Sequence, residues 1–339
     1  MRKTIIICAS QRLVSLWLII SINLCNLCYA QDIHFSQFYS TPLLLNPGAT
    51  GAFDGKFRSG IHFRNQWSSL GSPYQTYSAS AEMALLKKKE KGNSLGVGLM
   101  MFGDKAGNAA LKRTQFNFSL SYNAKLNDQH NLALGLQGGY AQRSIDNNVL
   151  QWGSQYNGTS YDPDNIPPPY MSEFSNVSYI DLSSGLLWNY QISNMAEVSA
   201  GAAMFHLNTP QQSLLDNGDD KLDRKIIIHG QGRIAKRRSD IAYFPNFMFA
   251  RQGSMMEINA GAMVRYMLKE SSKYTGFIKG NAFYIGGNYR FKDAVIIAAA
   301  LEIADWKLGL SYDINISGLR KATLGRGGFE ISLVYQAKN

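Results

Sequence analysis

Apolar and polar side chains alternate with a period of two along most of this sequence. In the segment 306–317, WKLGLSYDINIS, every second residue is apolar and the residues between are charged, polar or glycine. The same alternation occurs in 115–122 and in 329–336. Because successive side chains of a strand point to opposite faces of the sheet, this pattern predicts strands with one apolar and one polar face.

The alternating segments are mostly about 10 residues long, the length of a tilted strand that crosses a bilayer. Alternation alone would also fit a soluble sandwich, but strands of globular sheets usually have about 5–6 residues. An even number of strands is typical of bacterial single-chain barrels. We therefore predict an all-β fold, a transmembrane antiparallel up-and-down β-barrel of about 14 strands over residues 57–336, preceded by an extended N-terminal segment. The predicted strands are 57–67, 74–85, 94–102, 114–125, 131–142, 179–191, 196–206, 224–235, 241–251, 255–268, 281–291, 294–304, 306–316 and 327–336.

The connections between the predicted strands differ in length in a regular way. The two longest, Ser144–Ser178 and Leu207–Asp223, are the fifth and the seventh. Both then lie at one end, which we expect to face outside, and short turns such as Asn127–His130 lie at the other, as in outer-membrane barrels. Lys269–Gly280 is a longer connection at the short-turn end and departs from this asymmetry. Aromatic residues near strand ends favour interfacial girdles; they are Trp67, Tyr77, Tyr140, Trp188, Tyr190, Tyr266, Tyr289 and Trp306.

The first thirty residues have the features of a secretory signal peptide. Basic residues precede the apolar stretch Leu13–Leu24, and Cys28-Tyr29-Ala30 places small residues at positions −3 and −1 of a cleavage site. We predict cleavage before Gln31; a lipoprotein acylated at Cys25 or Cys28 is the less favoured alternative. All three cysteines lie in residues 1–30, so the cleaved chain would lack disulfides and thiolate chemistry.

Residues 31–56 do not alternate and contain two prolines and three glycines. We interpret them as an N-terminal plug within the barrel or as a periplasmic arm. The formal net charge is +10, and loss of the three signal-peptide cations leaves a basic mature chain. An exported protein seldom meets nucleic acid, so the basic balance favours attraction to anionic headgroups of the outer-membrane lipid.

Motifs for catalysis or for a cofactor are not evident. The residues 230–235 formally match G-x-G-x-x-A, but a dinucleotide site needs a helix to begin there, and we interpret these glycines as strand residues. The five histidines lack metal-ligand spacing, and no G-x-S-x-G or H-E-x-x-H motif occurs. The sequence therefore predicts no enzyme, no cofactor and no metal. The acidic residues of 216–223 could hold Ca²⁺, although a solvated loop is favoured; they are Asp216, Asp219, Asp220 and Asp223.

Charges of both signs fall on the polar face of the predicted strands. They are expected in the lumen, where cross-barrel ion pairs could close the interior; they are Arg58, Arg64, Glu82, Glu257, Arg265, Arg290, Glu302 and Glu330. Four aromatic residues of the first long loop are candidate partner contacts, because aromatic anchors dominate protein interfaces; they are Trp152, Tyr156, Tyr161 and Tyr170. The alternative is that these loops pack on themselves.

Short motifs at both ends of the chain resemble those of the PorP/SprF family of Bacteroidetes outer-membrane proteins. The N-terminal ones are Ser36-Gln37-Phe38-Tyr39, Pro42-Leu43, Asn46-Pro47-Gly48-Ala49, Gly51, Phe63-Arg64-Asn65-Gln66-Trp67 and Gln75-Thr76-Tyr77-Ser78. The C-terminal ones are Asn288-Tyr289-Arg290, Gly309-Leu310-Ser311-Tyr312-Asp313-Ile314 and Gly328-Phe329-Glu330-Ile331-Ser332-Leu333-Val334-Tyr335. Gly48 stands where the family more often has alanine, and the loops 144–178 and 207–223 match little.

This resemblance implies a Gram-negative outer-membrane protein of the type IX secretion or gliding motility machinery. It implies export and surface attachment of cargo, such as adhesins or enzymes with a C-terminal sorting domain, together with other type IX components as partners. The alternative is a passive diffusion porin. The resemblance supplies motif positions but no catalytic residue. The motif residues of structural interest are Ser36, Gln37, Asn46, Pro47, Arg64, Gln66, Trp67, Tyr312, Asp313 and Glu330.

Overall fold

The structure, a computed structural model, describes residues 32–68, 73–85, 93–107, 111–146, 150, 152–162, 176–215, 218–236, 239–269, 280–318 and 320–337. Its strands are β1 (Phe57–Gln66), β2 (Tyr74–Leu85), β3 (Ser94–Ala106), β4 (Leu111–Lys125), β5 (His130–Ser144), β6 (Val177–Ser193), β7 (Ala196–Phe205), β8 (Lys225–Ala235), β9 (Ile241–Gln252), β10 (Met255–Lys269), β11 (Asn281–Arg290), β12 (Ala294–Ile303), β13 (Trp306–Asn315) and β14 (Arg326–Ala337). Each strand pairs with its sequence neighbours, and β1 pairs with β14. The predicted closed barrel of 14 antiparallel strands is confirmed.

The observed strands extend beyond several predicted boundaries. β3 continues to Ala106 and β4 begins at Leu111, whereas the alternation predicts an end at 102 and a start at 114. Charged residues interrupt the apolar face there, yet Asp104 pairs with Arg113 and Lys105 with Lys112 in the ladder. Backbone pairing between β3 and β4 therefore continues past the apolar band, into residues whose side chains no longer alternate between apolar and polar.

The two ends of the barrel carry different connections. The end at which β1 begins and β14 ends, which we call the turn end, carries the tight turns 126–129, 194–195 and 304–305. The opposite end, the loop end, carries the connections 145–176 and 206–224. Both long connections lie at one end, as predicted from strand parity. Most of the 270–280 connection lies outside the described residues.

Burial along the strands is inverted relative to a water-soluble protein. On β13, Leu310 and Tyr312 are exposed while Ser311 and Asp313 are buried. Outward aliphatic residues such as Leu136 and Ile180 are more than 60% exposed. So continuous an apolar exterior would cause aggregation in water. It matches the lipid-facing surface of a membrane barrel.

Aromatic side chains form groups at the two rims of this apolar exterior. At the turn end, the rings of His130 and Tyr190 stack with centroids 4.5 Å apart, and Trp306 lies against Tyr335 at 4.9 Å. At the loop end, Tyr289 meets Phe291 edge to face at 6.3 Å. Amphipathic rings prefer the headgroup region, so these groups agree with the predicted girdles.

Two short helices are additional to the barrel: α1 (Pro42–Leu45) lies before β1, and α2 (Arg320–Thr323) lies between β13 and β14. Within the described residues, no helix has the length and apolar composition needed to cross a membrane. Gly230 and Gly232 lie within β8, so the G-x-G-x-x-A match belongs to a strand, as interpreted from the sequence.

Candidate functional site

The segment 32–56, which we call the N-terminal segment, runs inside the barrel along its axis. At the loop end, Asp32 is ion-paired with Arg113 of β4. At the turn end, the amide of Lys56 donates to the carbonyl of Ala337 at 3.3 Å. Most residues between these points are buried. The segment therefore extends through the lumen from the loop end to the turn end.

Apolar side chains of this segment pack against the few apolar residues that point inward. Phe38 and Leu45 contact a cluster on β7, β8 and β9 that includes Phe205 and Met248. Leu43 packs on Met100 and Phe102 of β3. Burial of a large apolar side chain stabilises by about 1.5–3 kcal/mol, so these contacts hold the segment against the wall.

Arg64, Arg290, Asp313 and Glu330, which we call the arginine cluster, join four strands inside the lumen. The Arg64 guanidinium lies 2.8 Å from Glu330 Oε1 and 3.2 Å from Asp313 Oδ2. Arg290 Nη2 lies 2.8 Å from the same Asp313 oxygen. All four side chains are at most 4% exposed. A buried ion is costly when it is left unpaired, and here each charge has an opposite partner.

The N-terminal segment completes the arginine cluster. The backbone amides of Ser36 and Gln37 donate to the two oxygens of Glu330, at 2.5 Å and 3.0 Å. The Ser36 hydroxyl donates to Asp313 at 2.7 Å. The carboxylates therefore bind both the strand arginines and the backbone of the segment, which ties that backbone to β13 and β14.

The expectation that lumenal charges pair across the barrel and close it is wrong. Arg64 and Glu330 are direct partners in the β1–β14 ladder, and Arg58 and Glu82 are partners in the β1–β2 ladder. Arg290 and Asp313 stand two strands apart. The pairs lie along the wall because the N-terminal segment occupies the centre of the lumen.

A second group of charges holds the beginning of the N-terminal segment. His206, just after β7, lies between two carboxylates, with Nδ1 2.9 Å from Asp181 and Nε2 3.2 Å from Asp32. Burial opposes ionisation of both His206 and Asp32. The two carboxylates nevertheless raise the pKa of His206, and Arg113, Lys225 and His206 hold the pKa of Asp32 well below its ordinary value.

The raised pKa of His206 predicts a pH-dependent stability. A protonated His206 stabilises the fold fully at pH values below about 6.5, its unfolded pKa, and this contribution is lost as the pH rises through the higher folded pKa. We expect the gap in melting temperature between the wild type and His206→Gln to narrow as the pH rises from about 6 to about 9. Thermal unfolding in detergent, followed by intrinsic fluorescence, measures this gap.

The control for this prediction is His130→Gln, because His130 stacks on Trp188 and Tyr190 and its ring contacts no carboxylate that the structure describes. The difference in melting temperature between the wild type and His130→Gln should change less over the same pH range. A His206→Gln gap that stays constant or widens with rising pH would contradict the assignment of a charged His206.

The middle of the segment turns at Asn46, which lies against strand glycines. Asn46 Nδ2 donates to the Leu186 carbonyl at 2.8 Å, and its Oδ1 accepts from the Gly48 amide at 2.7 Å. A Cβ atom added to Gly185 would overlap the Asn46 side chain, and one added to Gly135 would overlap the Pro47 carbonyl. Glycine is needed at both strand positions because the segment's turn touches the wall there.

We expect Gly135→Ala to displace the segment and to destabilise the protein by about 1–3 kcal/mol, the usual cost of overpacking. The matched control is Gly138→Ala on the same strand, where the nearest atom to an added Cβ is 3.9 Å away. Thermal unfolding and protease cleavage within 32–56 report the effect. Equal stability and equal protection of the two variants would show that the turn does not press on β5.

The structure places the motif residues in four locations. Ser36, Gln37, Arg64, Asp313 and Glu330 meet in the arginine cluster, and Asn46 with Pro47 forms the turn. Gln66 and Trp67 line a cavity at the loop end. Tyr312 faces outward and is 43% exposed. Sequence reasoning did not single out Asp32, Arg113, Asp181 and His206. The polar faces of β4 and β6 signal Arg113 and Asp181, whereas Asp32 and His206 lie outside the strands and carry no such signal.

The loop aromatics selected from the sequence lie partly within the described residues. Tyr156 and Tyr161 form an isolated bridge with ring centroids 5.4 Å apart, and both are about half exposed. Trp152 precedes the 3₁₀ turn Gly153–Gln155, and Tyr170 lies outside the described residues. Their role in partner contact stays a prediction.

The acidic loop 216–223 makes contacts with basic residues. Asp220 pairs with Arg143 at 3.1 Å, and Asp219 lies 3.5 Å from Lys221. Asp216 lies outside the described residues. Among the residues that the structure describes, no group of three or more acidic, histidine or cysteine side chains is arranged to hold a metal.

Comparison with known proteins agrees with this architecture. The family model described as type IX secretion system membrane protein PorP/SprF matches residues 27–335. The toluene transporter TbuX of Ralstonia pickettii is 8% identical with a TM-score of 0.52, over 88% of this chain and 93% of that chain. A FadL homologue of Pseudomonas aeruginosa is 8% identical with a TM-score of 0.50, over 86% and 92%. At this identity the two structures show a shared outer-membrane-type barrel fold alone. No curated protein sequence matches this chain.

Proposed function

Because this chain belongs to the PorP/SprF family of type IX secretion system membrane proteins, we propose that it is an outer-membrane assembly protein that supports export and surface attachment of cargo through protein binding. The observation that carries this proposal is the filled lumen. A barrel whose interior is occupied by its own N-terminal segment offers its loops and turns, rather than its interior, to other proteins.

The filled lumen argues against the alternative, a diffusion porin. A porin needs a continuous aqueous bore, as in 16- to 18-stranded barrels. Three cavities between residues 32–45 of the segment and the wall measure about 20–30 Å³, about the volume of one water molecule in the liquid. Cavities of this size do not let a solute cross the barrel while the N-terminal segment remains in the lumen.

The partners that we propose are secreted cargo with a C-terminal sorting domain and other type IX components. The exposed pair Tyr156 and Tyr161 is the part of the loop end best suited to bind them, because aromatic side chains contribute large contact area at low entropic cost. The action proposed is binding rather than catalysis, in line with the sequence, which offered no nucleophile beside a base. Adhesins of gliding motility and secreted enzymes are the cargo classes expected.

A deletion strain tests the proposal. We expect surface proteins with a C-terminal sorting domain to be depleted from it and to return when the wild-type gene is restored. Complementation with the double variant Tyr156→Ala, Tyr161→Ala should restore barrel level but not surface cargo, whereas Ser160→Ala should restore both. An unchanged surface proteome in the deletion strain would overturn the proposed function.

Conductance of the purified protein in planar bilayers separates the two functions. The proposal expects little steady conductance without a partner. A large, steady conductance of the wild-type protein would favour the porin.

A further inference from the structure

A cavity of about 550 Å³ lies at the loop end, above the arginine cluster. Its floor is Asp32, Ile33 and His34 of the N-terminal segment, and its walls come from β1, β2, β3, β10 and β11 with their adjoining connections. The volume is within the range of about 300–1,000 Å³ that small-molecule sites occupy. The wall residues that matter below are Trp67, Tyr74, Asp104, Met255, Glu257 and Arg290.

The basic groups of this cavity are already neutralised by carboxylates. Arg64 is bound by Glu330 and Asp313. Arg290 is bound by Asp313 at 2.8 Å and by Asp293 at 2.6 Å. The charges of both guanidiniums are therefore already compensated, and the charged groups of the described lining that lack an ion-pair partner are carboxylates.

Two carboxyl groups of the cavity form no ion pair with the residues that the structure describes. Oxygen Oε1 of Glu257 is buried and accepts no hydrogen bond from any of these residues. Asp104 accepts a hydrogen bond from the hydroxyl of Thr76 at 2.6 Å, which is a neutral donor. A buried, unpartnered carboxylate is costly, so a cation that entered the cavity would relieve this cost.

The two carboxylates face the cavity from opposite walls. Asp104 lies on β3 and Glu257 on β10, which stand seven strands apart in the ring of 14. The rings of Trp67 and Tyr74 and the side chain of Met255 line the same cavity and provide apolar and aromatic surface. Aromatic faces attract cations, and the most favourable cases are desolvated.

We propose that this cavity binds an organic cation with ammonium groups on an aliphatic stem, of the diamine or polyamine class. One ammonium group pairs with Glu257 and the other with Asp104, and the stem lies against Trp67, Tyr74 and Met255. This chemistry suits the site better than a bare metal ion, because no group of three metal-ligating side chains occurs among the described residues.

The test is calorimetric titration of the full-length mature protein in a neutral detergent with 1,6-diaminohexane. We expect saturable binding by the wild type and at least tenfold weaker binding by Glu257→Gln and by Asp104→Asn. The matched control is Asp128→Asn, because Asp128 is an exposed acid at the turn end, and it should bind as the wild type does. The uncharged analogue 1,6-hexanediol should not bind.

Several outcomes would overturn the proposal. These are equal binding of the diol, unchanged affinity in Glu257→Gln, or Mg²⁺ that binds in the same cavity and displaces the diamine. Heat modifiability on gels checks that each variant is a folded barrel. If Glu257→Gln does not fold, Asp104→Asn and the comparison with the diol test the proposal in its place. A folded Asp104→Asn barrel that no longer binds the diamine supports the site, and one that binds it as the wild type does would contradict it.

Discussion

Replacing Arg64 by glutamate is expected to reduce the yield of folded barrel severely. The variant would place three carboxylates together in a buried space, because Glu330 and Asp313 both lie within 3.2 Å of the Arg64 guanidinium. Breaking a buried ion pair costs about 3–5 kcal/mol, and like charges add to that cost. The measurement is the fraction of protein that runs as heat-modifiable barrel in outer-membrane preparations.

Two further variants distinguish this electrostatic effect from a general loss of arginine. The control Arg326→Glu changes an exposed residue of β14, the strand that carries Glu330, and should assemble normally. The double variant Arg64→Glu, Glu330→Arg exchanges charges between direct ladder partners and should recover part of the yield. Normal assembly of Arg64→Glu alone would contradict the lumenal placement of residue 64.

Deleting residues 32–52 is expected to change the protein from closed to conducting. These residues occupy the bore, and a barrel of 14 strands without them lies between filled eight-stranded barrels and open porins of 16 strands. We expect a steady bilayer conductance at least about tenfold above that of the wild type, since water and ions would fill the emptied lumen. The retained residues 53–56 preserve the start of β1 and its contact with the end of β14.

The control for this deletion is removal of Asn157–Ser160, an exposed turn of the loop end, which should leave the conductance at the wild-type level. The segment also supplies amides to Glu330, so the deleted protein should be less stable than the wild type. Heat modifiability identifies the folded fraction on which conductance is measured. A folded deletion variant that stays closed would show that the wall residues alone seal the bore.

Much of the fold could be predicted from the sequence because a strand encodes its two faces locally. The alternation around Leu310 and Asp313 identifies the lipid-facing and lumenal residues without any knowledge of neighbouring strands. Counting the alternating segments predicts the number of strands. It also predicts that the two long loops lie at the same end of the barrel. The ends of β3 and β4 were predicted less well, since ladder pairing persists where the apolar face stops.

The candidate site could be predicted only in part. The motif residues Ser36, Arg64, Asp313 and Glu330 were all selected through the family resemblance and do lie together, but Ser36 belongs to a segment with no periodicity that would place it. The group around His206 was missed, because Asp32, Asp181 and His206 are far apart in the chain and carry no common spacing. The pairing of the lumenal charges was also predicted wrongly.

The sequence by itself determined the strand number, the two faces of each strand and the family. The tertiary structure decided which lumenal charges meet, and it placed residues 32–56 within the bore. The physical reason is that side-chain alternation is a local property of a strand, whereas contacts inside a closed ring depend on its register and on the path of the chain that fills it. Only the folded barrel brings Asp32, at the start of the segment, against Arg113 and His206 on its wall.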